Sequence, residues 1–150
     1  MEAREIRKDE LDKLIEFYQL HLFDVKDDPL AEPEVVDRIW NKIQNSENFA
    51  VLGVFDKDTL MASCSIIIVP NLTRGCRPYA LIENIATHRK YRRKGYGKAN
   101  LLYAAKYAEE KGCYKAMFMT GHLNPKVEKF CNAAGFEGGE KMAYIKRWDY

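Results

Sequence analysis

The chain has 150 residues, of which 47% are hydrophobic and 31% charged, with a formal net charge of +2. This length and balance are typical of one soluble globular domain over residues 1–150, and they exclude a disordered chain, a collagen-like repeat and a disulfide-stapled mini-protein. The longest aliphatic run, residues 66–69, is far shorter than the roughly 20 residues that a membrane span needs. No apolar signal segment opens the chain, so we expect a cytoplasmic protein without membrane partners.

The four cysteines and three histidines are scattered along the sequence. No C-x-x-C pair and no cluster of histidine, cysteine and carboxylate side chains is present. Disulfide frameworks and zinc sites both need tighter spacing or a secretory context. We therefore expect reduced thiols and no metal.

The first third of the chain predicts one strand and two helices. Residues 5–8 form a short edge strand, and Asp9 is the expected N-cap of a helix whose apolar residues recur at helical spacing. An acidic loop over 24–32 leads to a second helix, in which Pro33 occupies the first turn.

The middle of the chain predicts mainly strands. Residues 49–55 and 60–69 form a hairpin, and residues 79–87 form the next strand. A helix then follows, which Gly112 ends because glycine adopts the left-handed conformation readily. The apolar run 114–120 is expected to be a buried strand.

The last part predicts a helix and a strand. Asn124, followed by proline, is a strong helix start, and Gly135 ends that helix. Residues 142–148 then form a final strand. The order β-α-α-β-β-β-α-β-α-β predicts an α/β fold with a mixed sheet and helices on both faces.

A basic, glycine-containing segment lies between the strand 79–87 and the following helix. Residues 88–98 contain six lysine and arginine residues and no acid. Gly95 and Gly97 allow a tight turn, and the free N–H groups at the helix start attract an anion, most naturally a phosphate. Asn100 stands where a Rossmann fingerprint needs a third glycine, and no P-loop pattern occurs. Nucleic-acid binding and a simply solvated surface are the alternatives for this segment.

This segment resembles the pyrophosphate signature of the GNAT superfamily of acetyl-coenzyme-A-dependent N-acetyltransferases, [R/Q]-x-x-G-x-[G/A]. Residues 82–87 resemble the family's fourth strand. The resemblance extends to the family's N-x-x-x-x-x-F-Y-x-x-x-G-F segment and covers about residues 3–148 in element order. The matching residues are Arg92, Gly95, Gly97, Asn124, Phe130, Gly135 and Phe136.

The resemblance implies a mostly antiparallel mixed sheet whose fourth and fifth strands splay apart around acetyl-CoA. Ile85, Ala86 and Thr87 would contact the pantetheine arm, mainly through backbone groups. Asn124 and Phe130 would border the thiol end, although a plain helix cap and a plain core residue are the alternatives for these two. The residues that would hold the pyrophosphate are Arg92, Arg93, Lys94, Gly95, Tyr96, Gly97 and Lys98.

Glu83 is the candidate general base. It is the only acid between Asp58 and Glu109, and it matches by position the carboxylate that many relatives use to deprotonate the amine. Burial in an apolar strand would raise its pKa toward the useful range. The alternatives are a carboxylate that pairs with Arg77 or caps a backbone bulge.

The general acid is less clear, because Cys131 stands where many relatives have a tyrosine. A thiol is a weak hydrogen-bond donor. Cys131 could still donate, Tyr144 could substitute, or the thiolate could leave unassisted. Cys131 is alternatively a small buried hydrophobic residue.

The expected activity is acetylation of a primary amine on a small molecule. Acidic residues could attract a polycationic amine such as a polyamine or an aminoglycoside, whereas Arg74 and Arg77 could clamp a carboxylate or phosphate on an amino acid or amino sugar. A catalytically silent acyl-CoA-binding module and a protein or peptide N-acetyltransferase are the alternatives, and we expect no nucleic-acid partner. The resemblance also implies a homodimer, to which the C-terminal strand could contribute a shared edge. The acidic residues in question are Asp24, Asp27, Asp28 and Glu32.

Overall fold

A computed structural model describes residues 1–23, 29–121 and 124–148 of the chain. These residues form five strands, four α-helices and two short 3₁₀ turns. No helix among them is long and apolar enough to cross a bilayer. In chain order the elements are β1 (Glu2–Glu5), α1 (Leu11–His21), α2 (Pro33–Gln44), β2 (Phe49–Asp56), β3 (Thr59–Val69), β4 (Tyr79–Thr87), α3 (Tyr96–Glu110), β5 (Ala116–Phe118) and α4 (Pro125–Ala133).

The strands form one sheet in the order β1-β2-β3-β4-β5. All neighbours are antiparallel except β4 and β5, which run parallel. Two parallel neighbours need a crossover connection, and α3 provides it. The predicted fold class, a mixed and mostly antiparallel sheet with flanking helices, is confirmed.

The helices cover both faces of the sheet, and each face has its own apolar core. On one face, α3 and α4 pack against the sheet through Leu101, Ala104 and Ala134. On the other face, α1 and α2 pack through Phe17 and Trp40. We call these the α3 face and the α1/α2 face.

A β-bulge in β4 reverses which face its side chains occupy. Ser65 of β3 pairs with Glu83 and Ser63 pairs with Ala86, so three steps of β4 oppose two steps of β3. Asn84, inside this bulge, has a positive φ of 53°. Before the bulge, Ile82 packs into the core of the α3 face, whereas after it Ala86 packs into the core of the α1/α2 face.

The predicted start of the chain is wrong in two details. The first strand is Glu2–Glu5 rather than 5–8, because the chain turns into a 3₁₀ helix at Lys8–Glu10. The Glu10 carboxylate, not Asp9, satisfies the turn: it accepts from the Arg7 backbone N–H at 3.0 Å. The Arg4 guanidinium also donates to both Glu10 oxygens, at 2.7 and 2.8 Å. These bonds fix a turn where local sequence predicts extended chain.

The end of the chain also differs from the prediction. Residues 142–148 form no strand; together with the preceding residues from 137 they lack regular secondary structure and are exposed. A strand needs a neighbour to satisfy its backbone hydrogen bonds, and this segment pairs with none among the described residues. β5 is likewise three residues long instead of the predicted 114–120, and it is half-buried.

Candidate functional site

An open slot separates β4 from β5. Their pairing runs from Ala80, opposite Ala116, to Ile82, opposite Phe118, and ends there. From Glu83 to Thr87, β4 has no strand neighbour on this side within the described part of the chain. The backbone groups along this edge therefore have no strand partner, and the contact of Ile85, Ala86 and Thr87 with an extended ligand stays a prediction.

The glycine loop lies where the slot meets α3. Arg93 and Gly95 have positive φ angles of 63° and 90°, which turn the chain sharply before α3 begins at Tyr96. No side chain caps this helix, and its first turn contains no acid. The first N–H groups of α3 thus lack intrahelical acceptors and, with the helix dipole, favour an anion.

The cations of the loop are free to meet such an anion. Arg92, Arg93, Lys94 and Lys98 are all exposed. None of them forms an ion pair with the residues that the structure describes. Their charge is therefore not neutralised by the protein, which makes the mouth of the slot electropositive.

Tyr96 anchors the loop to the β2–β3 hairpin. Its hydroxyl donates to Asp56 Oδ2 at 2.9 Å, and this hydrogen bond raises the pKa of Tyr96. The side chain of Tyr96 is thereby directed toward the hairpin, while its backbone N–H stays at the uncapped helix start.

Gly97 is required by packing between α3, β4 and α4. A Cβ at this position would lie 2.6 Å from Thr87 Oγ1 and 3.3 Å from Phe130 Cε2. Gly95, in contrast, has no neighbour within 4 Å of its missing Cβ, and its need is conformational. The two glycines of the motif therefore serve different purposes.

The structural alternatives for Asn124 and Phe130 are confirmed. Asn124 Oδ1 accepts from the backbone N–H groups of Lys126 at 3.0 Å and Val127 at 3.1 Å, so Asn124 caps α4. Phe130 packs against the core of the α3 face. Their contact with a thiol end stays a prediction, although Phe130 lies beside Gly97 and Thr87 at the slot.

The three candidate catalytic residues occupy different environments. Glu83 is half-buried, and its carboxylate forms no hydrogen bond or ion pair with any described residue. Cys131 is half-buried, and burial raises the pKa of its thiol. Tyr144 is 89% exposed on the segment 137–148 and packs against almost nothing. The alternative pairing of Glu83 with Arg77 is absent.

A cavity of about 460 Å³ lies between α1, α2 and the sheet, and sequence analysis did not identify it. Tyr18, Ser65 and Asn84 place polar groups at its sheet side, and Asn84 Nδ2 donates to Ser65 Oγ at 3.4 Å. The signal in the sequence is slight: Ser63 and Ser65 alternate with buried apolar residues in β3, which marks polar groups on one face of an otherwise apolar strand.

Of the residues predicted to choose the acceptor, the three that the structure describes, Arg74, Arg77 and Glu32, do not converge on the slot. Arg74 and Arg77 lie about 6 Å from the Tyr114 ring, in the loop that precedes β4. From Arg77 to Glu83 the chain covers roughly 20 Å at strand rise, so this loop lies at the end of β4 opposite the glycine loop. Glu32 is exposed at the start of α2. Asp24, Asp27 and Asp28 lie outside the described residues.

Residues 9–136 match the model of the acetyltransferase (GNAT) family. The chain belongs to this family. That match covers the glycine loop, the slot and α4 together, and it confirms the family resemblance and the acyltransferase class inferred from the sequence. Among the described residues, no group of three histidine, cysteine or acidic side chains could hold a metal ion.

This GNAT chain is similar to several known proteins, among them one matched by sequence and two matched by structure. It is 32% identical over 83 residues to a glucosamine 6-phosphate N-acetyltransferase from Trypanosoma brucei brucei, over 55% of the chain; the match spans about half (54%) of that relative. A protein from Agrobacterium tumefaciens str. C58 described as "Putative acetyltransferase" is 28% identical, with a TM-score of 0.87 over 98% of this chain and 100% of that one. The enzyme AAC(6')-Iy, solved with a CoA-linked bisubstrate analogue, shares the fold, with 18% identity and a TM-score of 0.76 over 99% of this chain and 98% of its own.

Proposed function

We propose that this GNAT protein transfers an acetyl group from acetyl-CoA to a primary amine of a small molecule. One observation carries the proposal: the slot between β4 and β5 leads directly to an uncapped helix start surrounded by unpaired cations. An extended thioester arm and a pyrophosphate fit these two features respectively, and the family match supports the same donor.

Each part of acetyl-CoA has residues that would bind it. The backbone N–H groups around Gly95 and the side chains of the loop cations would hold the pyrophosphate. The free edge of β4 over Ile85–Thr87 would hydrogen-bond the amide groups of the pantetheine arm, much as a neighbouring strand would. Phe130 and Cys131, on the inner side of α4, would border the thioester.

Glu83 is the group best suited to remove the proton from the amine. An amine with a pKa of about 10.4 is neutralised at pH 7 at a cost of roughly 4.6 kcal/mol, so a base near the reacting nitrogen is valuable. The Glu83 carboxylate has no hydrogen-bond or ion-pair partner among the described residues, so its oxygens are available to the amine. The amine nitrogen then forms a bond to the acetyl carbon, the carbon–sulfur bond breaks, and the amine proton passes to Glu83 directly or through one water.

Cys131 is better placed than Tyr144 to stabilise the departing thiolate, by a hydrogen bond rather than by proton transfer. Burial raises the pKa of its thiol, so the S–H group stays protonated at neutral pH and can donate a weak hydrogen bond. Tyr144 would have to approach the slot with the rest of the segment 137–148 to do the same. The leaving thiolate takes its proton from water, because a CoA thiol, with a pKa near 8.5, is a good leaving group without a protein acid.

Ligand-dependent stabilisation tests the donor. We expect acetyl-CoA and CoA, but not NAD or ATP, to raise the melting temperature by several degrees, since a ligand at a hundred times its Kd adds about 2.7 kcal/mol. A thiol-release assay with a panel of amines then separates an enzyme from a silent acyl-CoA-binding module. No shift with either CoA ligand would refute the assignment of the glycine loop.

The substitution Glu83→Gln tests the base. We expect kcat to fall by about 100-fold or more, the typical contribution of general base catalysis, with acetyl-CoA affinity unchanged. The control is Glu109→Gln, which removes an exposed carboxylate from α3. Wild-type turnover by Glu83→Gln would exclude the residue as the base.

The C-terminal segment supports a homodimer. Met142, Tyr144, Ile145 and Trp148 are between 66% and 89% exposed, although their spacing suits a strand. β5 is an edge strand with an unpaired side. Light scattering should therefore give twice the chain mass, and Ile145→Asp should shift the protein toward monomer while Leu72→Asp, at another exposed position, does not. A monomeric wild-type chain would contradict the proposal.

A further inference from the structure

We propose that the acceptor is a primary amine carried on an apolar body, such as an aryl or branched alkyl group, and that this body occupies the cavity between α1, α2 and the sheet. The inference rests on the proposed acetyl transfer, because it names the substrate class of the same site. It differs from both acceptor classes that the sequence suggested, a polycation and an anionic amine.

The walls of the cavity are apolar. α1 contributes Leu11, Ile15 and Leu22, and α2 contributes Val36 and Ile39. The volume of about 460 Å³ lies within the range of small-molecule sites, which are mostly apolar with a few placed polar groups. Transfer of an aryl or alkyl group from water to such walls is favourable in proportion to the area buried.

The polar groups of the cavity are concentrated where the acetyl group would arrive. Asn84 lies in the β4 bulge and is the next residue to Glu83, and Ser65 is the cross-strand partner of Glu83. Burial raises the pKa of the Tyr18 hydroxyl, so this group stays a neutral donor and acceptor. An amine at this end would meet these three neutral hydrogen-bonding side chains, while the rest of the molecule meets walls that are mostly apolar, with Gln19 as a further polar lining residue.

The described lining of the cavity carries no charged side chain, that is, no aspartate, glutamate, lysine or arginine, and Glu83 beside it is the one carboxylate of the proposed site. A sugar phosphate or a polycation would lose its hydration there without a compensating ion pair, which is strongly unfavourable. The arginines that could bind a phosphate, Arg74 and Arg77, lie beyond the other end of β4.

The mouth of the cavity carries exposed apolar side chains. Phe23, Leu30, Val35 and Ile39 line the cavity while leaving much of their surface in water. Clusters of this kind on a soluble protein mark binding sites. Their continuity with the polar groups beside Glu83 favours a small molecule that reaches from the mouth to the acetyl group.

An acceptor panel tests the inference separately from the proposed function. With thiol release as the readout, we expect kcat/KM for 2-phenylethylamine and 3-methylbutylamine to exceed that for glucosamine 6-phosphate and spermidine by about tenfold or more, the discrimination given by roughly 1.4 kcal/mol. Higher kcat/KM for the sugar phosphate or the polyamine would overturn the acceptor inference but leave acetyl transfer intact. If no amine is acetylated although acetyl-CoA binds, the proposed function fails. The acceptor inference then also falls unless calorimetry shows 2-phenylethylamine binding that Ile39→Glu abolishes.

Ile39→Glu tests the cavity itself, with Leu72→Glu as its control. Ile39 is 47% exposed, so a carboxylate is tolerated by the fold yet stands in the cavity wall, whereas Leu72 is 92% exposed and lies outside this cavity. We expect Ile39→Glu to raise the KM for 2-phenylethylamine at least about tenfold and to leave the KM for acetyl-CoA unchanged. An unchanged KM for the amine, or a change only in oligomeric state that would mark a protein-binding face, would overturn the inference.

Discussion

Gly97→Ala tests whether packing requires a glycine at this position of the motif. The added Cβ would lie 2.6 Å from Thr87 Oγ1 and 3.3 Å from Phe130 Cε2, and the first distance is shorter than any real contact of a Cβ. Thr87 is β-branched, so two of the three rotamers about its Cα–Cβ bond place a heavy atom in the same space, and only the third turns its Hβ there. The new methyl group therefore forces either that rotamer of Thr87 or a shift of the helix, the strand or the Phe130 ring.

The balance of effects predicts a net loss of stability. Overpacking of this kind destabilises a protein by about 1–3 kcal/mol. Alanine is favoured over glycine in a helix interior by about 1 kcal/mol, and by less in the first turn, where Gly97 lies. We expect Gly97→Ala to lower the free energy of unfolding by about 1–2 kcal/mol, which corresponds to a decrease of roughly 2–8 °C in melting temperature.

Thermal and urea unfolding of the wild type, Gly97→Ala, Thr87→Ala and the double variant would measure this effect. In the double variant with Thr87→Ala, the atom closest to the new Cβ is gone, so most of the loss caused by Gly97→Ala should disappear relative to Thr87→Ala alone. Phe130 still contacts the new methyl group, so recovery is partial. If Gly97→Ala is as stable as the wild type, or if the two substitutions are additive, the packing argument is refuted.

Two further predictions concern polar contacts. The Arg4 guanidinium lowers the pKa of Glu10 from 4.5 to about 2, so the Glu10 carboxylate stabilises the fold fully above pH 4.5 and loses this contribution of about 3 kcal/mol as the pH falls toward 2. The difference in unfolding free energy between wild type and Glu10→Gln, measured by urea titration, should shrink over that pH range. A difference that stays constant would contradict the assignment. Tyr96→Phe removes the hydrogen bond to Asp56 and should weaken acetyl-CoA binding a few-fold, as measured by calorimetry. The free energy of unfolding should change by about 1 kcal/mol or less. Unchanged affinity would mean that the Tyr96–Asp56 hydrogen bond does not order the glycine loop.

Local signals in the sequence predict much of this fold. The strand over 79–87 has the predicted bounds, and Pro33 opens α2 as expected. Gly112 and Gly135 follow α3 and α4 with φ angles of 75° and 81°, the conformation for which glycine was predicted there. Each of these features depends on residues within a few positions of one another, which is why periodicity and capping rules suffice.

The features that sequence analysis missed depend on tertiary contacts that local periodicity and capping rules do not include. The turn at Lys8–Glu10 is fixed in part by a bidentate bond from Arg4 to a buried carboxylate. Trp40 also contributes, since its Nε1 donates to the Lys8 carbonyl at 2.9 Å from 32 residues away. The apolar pattern over 142–148 favours a strand locally, but this segment pairs with no strand among the described residues, and local propensity does not supply a partner.

The bulge in β4 is the clearest case, because it determines how the site is built. An extra residue inside an alternating strand is visible only against the register of its neighbour, here β3. Without it, Ile85 would face α1 and α2; with it, Ile85 packs on the α3 face, while Glu83 precedes the reversal and shares the α1/α2 side with Ser65. One strand thus carries Glu83 on the side of the sheet where the cavity lies and has its free backbone edge at the slot. The two proposed substrates can then approach the same point from opposite sides of the sheet.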